Sequence, residues 1–138
     1  MRCLALFALV MLTGCSSLQR DADDGAASVA DHVLPEALDD AISVADPQSP
    51  EERRVAAEEW LSDPDPSVVD GLRNVTWEVR GSEGTTIRVD LYMYLESGDL
   101  LPPDQGEATW GVACRAYDGA RAVTSTTVEC PDGTPEEP

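Results

Sequence analysis

From position 74 onward, apolar residues recur at every second place. Val75, Trp77 and Val79 alternate with Thr76, Glu78 and Arg80 before Gly81-Ser82-Glu83-Gly84, and Ile87, Val89, Leu91, Met93 and Leu95 alternate with Thr86, Arg88, Asp90, Tyr92 and Tyr94. A period of two places successive side chains on opposite faces of a strand. Two further strands are predicted over about 107–117 and 120–130, with Asp118-Gly119 as a tight hairpin between them and a loop over 97–106. Before position 74 the period is helical. Leu34, Leu38, Ile42 and Ala45 share a face, Pro35-Glu36 suits a first turn, and Asp46-Pro47 ends the run. Ser49-Pro50-Glu51-Glu52 opens a second helix: Ser49 can accept from the Glu52 amide while the Glu52 carboxylate reaches back. That helix presents Ala56, Ala57, Trp60 and Leu61 and stops by Asp63-Pro64.

Helices followed by strands predict an α+β domain, with two N-terminal helices packed on one face of a four-stranded antiparallel meander. In element order this outline is similar to cystatin-like or nuclear transport factor 2-like folds, a likeness that says nothing of function.

The N-terminus has a different pattern. Met1-Arg2 precedes the apolar run 4–12, LALFALVML, which is too short to span a bilayer. Leu12-Thr13-Gly14-Cys15 then resembles the lipobox of bacterial lipoproteins: a branched apolar residue, two small residues and a cysteine. The resemblance implies cleavage before Cys15, a diacylglycerol thioether on its sulfur, and anchorage on the extracytoplasmic face of the cell membrane. On this reading residues 1–14 are a signal peptide and 15–30 a lipidated, flexible acidic tether. Residues 31–130 are the domain and 131–138 an acidic tail.

Charge narrows the partners. Net charge is −18, and loss of Arg2 with the signal peptide leaves 8 basic against 27 acidic side chains. Such a surface repels phosphate backbones and excludes nucleic acid as a partner. It also repels anionic lipid, so the N-terminal lipid is the expected membrane contact.

Cys114 and Cys130 remain in the domain, and outside the cytoplasm two such thiols are expected to form a disulfide. A two-residue hairpin at Asp118-Gly119 would oppose this, because Cys114 would face Val123 and Cys130 would lie about 24 Å further along the strand. Either the connection is wider or the thiols stay free; the expectation is the bridge.

No catalytic set can be assembled from the sequence. His32 is the only histidine, no Gly-x-Ser-x-Gly elbow accompanies the serines, and no metal-ligand spacing or cofactor motif is present. A binding or accessory module therefore ranks above a small carboxylate-dependent envelope hydrolase or a passive acidic cation-binding component. If Ile87–Leu95 point inward, the opposite face would carry Arg88, Tyr92 and Tyr94, joined by Arg115 and Tyr117 of the next strand. Tyrosine and arginine are the usual contact anchors. Such a face would meet an acidic envelope protein or an anionic wall polymer.

Overall fold

The central hairpin follows from the alternation. β2 (Thr86–Glu96) buries Ile87, Val89 and Leu91 and pairs antiparallel with β1 (Val75–Glu83) on one side and β3 (Ala108–Asp118) on the other. Glu83 pairs with Thr86, so Gly84-Thr85 is the turn, with Gly84 at a φ of 59° that glycine adopts without strain. β4 (Thr124–Thr127) completes an open antiparallel sheet of order β1-β2-β3-β4. This computed structural model describes residues 17–97 and 108–135. The expected signal segment and lipobox with Cys15, the expected loop at 98–107 and positions 136–138 of the expected tail lie outside the described residues.

Helices cover one face of the sheet. α1 occupies residues 17–45 and α2 is Pro50–Ser62; a single turn, α3, follows at Pro66–Val69. Leu34, Leu38 and Ile42 of α1, with Ala57 and Leu61 of α2, pack over Ile87, Val89 and Leu91. Burying each large aliphatic side chain contributes roughly 1.5–3 kcal/mol. α2 starts as its sequence dictates. The Glu52 N–H donates to Ser49 Oγ at 3.2 Å, and the Glu52 carboxylate reaches back to the Gln48 N–H. At its other end, Trp77 Nε1 of β1 donates to the Leu61 carbonyl at 3.0 Å, and the Trp60 and Trp77 rings stack with centroids 5.9 Å apart.

Two expectations need correction. The first concerns the tether: positions 17–28 are helical, and Ala22, Ala26 and Ala30 are fully buried. Small side chains are what this contact requires, because α1 lies directly on β3, where Gly111 and Ala113 share the helix-facing side with Val89, Leu91 and Met93. The same segment serves the edge of β3 that β4 is too short to reach. Gln19 Nε2 donates to the Trp110 carbonyl at 2.9 Å, and the Val112 N–H donates to Asp23 Oδ1 at 3.2 Å. A strand edge covered in this way offers no template to another chain. Pro35 accordingly sits inside a helix. A π turn at Val29–Val33 precedes it, in which the Leu34 N–H bonds the Val29 carbonyl.

The second correction is the last hairpin. Asp118 pairs with Thr124, so the connection is five residues long, and β4 covers four residues where 120–130 was expected. Asp118 is not a turn centre. Its carboxylate accepts from the Ala120 N–H at 3.0 Å and from Thr85 Oγ1 at 2.8 Å, opening a wider loop. The helices hold that loop. Arg53 donates to the Gly119 and Arg121 carbonyls, and Asp39 Oδ1 accepts from the Val123 N–H at 2.9 Å. The wider connection brings Cys130 back to Cys114: the two are bridged, with Cα atoms 5.3 Å apart.

Candidate binding surfaces

The five residues expected on one face are divided between two. Met93, Leu91, Val89 and Ile87 of β2 stand opposite Gly111, Ala113, Arg115 and Tyr117 of β3, so the last two lie on the helix side. Arg115 is 8% exposed and Tyr117 2%. The Arg115 guanidinium grips Asp31 of the π turn twice, Nε to Oδ1 at 2.7 Å and Nη2 to Oδ2 at 3.0 Å, while Ser125 Oγ donates to the same carboxylate. These donors hold the Asp31 carboxyl below its usual value, with the Arg115 hydrogen bond the largest cause. Tyr117 Oη donates to the Ala30 carbonyl at 2.7 Å, and burial pushes the phenol's pKa upward. Both side chains therefore secure α1 to the sheet.

Arg88, Tyr92 and Tyr94 do lie on the face away from the helices, but little of it is free. Tyr92 is 3% exposed, set edge-on against Trp110, whose ring also meets Tyr94 at 5.0 Å between centroids. Asp90, between Glu78 and Cys114 in the register, is fully buried. Its Oδ2 accepts from Arg80 Nε at 2.5 Å; Oδ1 has no hydrogen-bond donor among the described residues, and Arg88 Nε is 4.0 Å away. Asp90 first, then the Tyr92 hydroxyl, holds the Arg80 guanidinium in its charged form. The chain beyond β4 adds a strap: the Val128 N–H donates to the Cys114 carbonyl, Arg88 donates to the Glu129 carbonyl, and the disulfide fastens Cys130. The local arginine concentration that favoured an anionic partner is thus spent largely on internal contacts.

Sequence reasoning missed Asp90, Arg80 and Trp110 on this face. Arg80 occupies a β-bulge between Val79 and Gly81, which no alternation rule marks. Trp110 escapes a hydrophobicity rule, which directs Trp110, Val112 and Cys114 to the inward face of β3.

The open surface lies elsewhere, between α1 and α2. A groove of about 520 Å³ runs there, floored by Ala41, Ala45, Ala56 and Trp60. Asp40, Glu59, Asp63 and Asp65 stand around it, and no basic side chain among the described residues lines it. At its lip Val44 is 87% exposed, the most exposed of the large apolar side chains among the described residues.

Among the described residues, no group of three or more His, Cys, Asp or Glu side chains is placed to hold a metal ion, and no helix is long and apolar enough to cross a membrane. No protein-family model, curated protein or solved structure matches this chain.

Proposed function

We propose that this chain is a membrane-anchored extracytoplasmic lipoprotein, held by lipid on Cys15, whose α+β domain acts as a binding or accessory module. The cysteine pattern carries the reading. One cysteine follows Leu12-Thr13-Gly14 behind a signal-length apolar run, and the two cysteines of the domain, Cys114 and Cys130, are bridged. A structural bridge of this kind persists in oxidising compartments and is rare in the cytosol. The open apolar groove between α1 and α2 supports action by contact.

Radioactive palmitate and a thiol count test the assignment together. Wild-type cells should incorporate label, Cys15→Ala should abolish it and accumulate precursor, and alkylation of freshly isolated protein should leave Cys114 and Cys130 unmodified until a reductant is added. Continued labelling of the Cys15→Ala protein, or two alkylated thiols before reduction, would overturn the reading.

A further inference from the structure

The groove between α1 and α2 has a composition that selects its occupant. Its floor is aliphatic and aromatic, with Trp60 braced by its stack on Trp77. Among the described residues no cation pairs with Asp40, Glu59 or Asp63, while Asp65 accepts from both the backbone N–H and the hydroxyl of Ser67. The arginines of α2 are committed elsewhere. Arg53 reaches the 119–121 loop, and Arg54 bonds Glu58 at 2.8 Å and Ser82 at 3.1 Å.

We propose that this groove docks a lysine- or arginine-rich, partly aliphatic segment of a partner protein. Lysine and arginine combine a hydrocarbon stem with a cationic head, so the stem can lie on the alanine and tryptophan floor while the head reaches the rim carboxylates. Trp60 adds a cation–π contact for the same head group. The chain cannot supply this occupant itself. Positions 98–107 and 136–138 contain no basic residue and positions 1–16 contain only Arg2, while a second copy brings a net charge of −18. Field lines from the acidic surface also speed the approach of a cationic segment. This inference deepens the binding-module reading by naming its surface and partner class, and it rests on that reading.

The test uses purified full-length protein in a neutral detergent and three fluorescent peptides of equal length: alternating lysine and leucine, alternating lysine and serine, and alternating glutamate and leucine. Anisotropy should show binding of the lysine–leucine peptide, at least tenfold weaker binding of lysine–serine, and none of glutamate–leucine. The triple substitution Asp40→Asn, Glu59→Gln, Asp63→Asn should weaken lysine–leucine binding at least tenfold. A control triple with the same charge change, Asp21→Asn, Asp24→Asn, Asp132→Asn, should weaken it less than twofold. Ala45→Arg is a second variant at an exposed helix end, where an arginine is tolerated, and should weaken binding with the thermal midpoint unchanged. Equal effects of the two triples would reduce the groove to non-specific charge and overturn the proposal, as would equal binding of the two lysine peptides or full binding by Ala45→Arg. Palmitate labelling fails or succeeds independently, so loss of the anchor reading and loss of the groove reading remain distinguishable.

Discussion

A Cβ on Gly111 would stand 2.0 Å from the Ala22 carbonyl oxygen, so α1 and β3 meet here backbone to backbone. Neither partner is a flexible side-chain end that could swing aside. Gly111→Ala should therefore lift residues 17–28 off the sheet and destabilise the domain by about 1–3 kcal/mol or more. Gly119→Ala is the comparison, because its Cβ would make only ordinary contacts, with Ile42 Cδ1 at 3.6 Å and the Thr85 carbonyl oxygen at 4.0 Å. Urea denaturation should show a large drop in midpoint for the first and a small change for the second. Equal midpoints would mean that the first part of α1 does not rest on β3.

Tyr117 completes a helix that Pro35 leaves short of a donor. The Leu34 N–H is taken by the Val29 carbonyl, Pro35 has no N–H, and the Tyr117 hydroxyl donates to the Ala30 carbonyl instead. Tyr117→Phe should cost about 1–2 kcal/mol, the usual penalty for a buried carbonyl left without a partner. In a Pro35→Ala background the new N–H can serve that carbonyl, so the same substitution should cost less. A double-mutant cycle in urea checks this. Additive effects would show that the two residues do not share the Ala30 carbonyl.

Acid should weaken the attachment of α1. Asp31 is held below its usual value of 3.8 chiefly by its hydrogen bond from Arg115. A carboxyl with a depressed folded-state pKa contributes fully above its unfolded value and loses that contribution as pH falls through the folded one. Asp31→Asn should cost about 1 kcal/mol at neutral pH, the pair being partly solvated. The difference from wild type should shrink as pH drops below 3.8. Thermal midpoints measured across that range provide the check. A gap that stays constant with pH would show that the Asp31 charge contributes nothing to stability.

Legibility in the sequence varied with how local each signal was. The phase of β2 and the start of α2 were readable because alternation and a capping box are complete within a few residues. The first part of α1 was not. Ala22, Gly25, Ala26 and Ala30 have the composition of a linker, yet they lie against partners from far along the chain: Ala22, Ala26 and Ala30 are fully buried, and the Ala22 backbone lies against Gly111. The phase of β3 failed for the same reason. Hydrophobicity alone directs Trp110, Val112 and Cys114 inward, but a helix lying this close admits Gly111 and Ala113, and Arg115 and Tyr117 follow them. Those two polar side chains are tolerated there because Asp31 and the Ala30 carbonyl receive them. The candidate surface was misplaced with the strand phase. The α1–α2 groove was invisible because its floor joins residues of separate helices.

The early start of α1 changes the mechanics of attachment. Cys15 stands two residue steps before position 17, which is helical. At about 3.5 Å per residue, the proposed anchor leaves a leash of about 7 Å, against about 20 Å for a flexible coil of the length that composition implied. With the proposed lipid on Cys15, that leash would hold the domain at headgroup height with restricted tilt, and its search for partners would run in two dimensions. A partner segment would have to meet it within the thickness of the domain itself, close to the same leaflet.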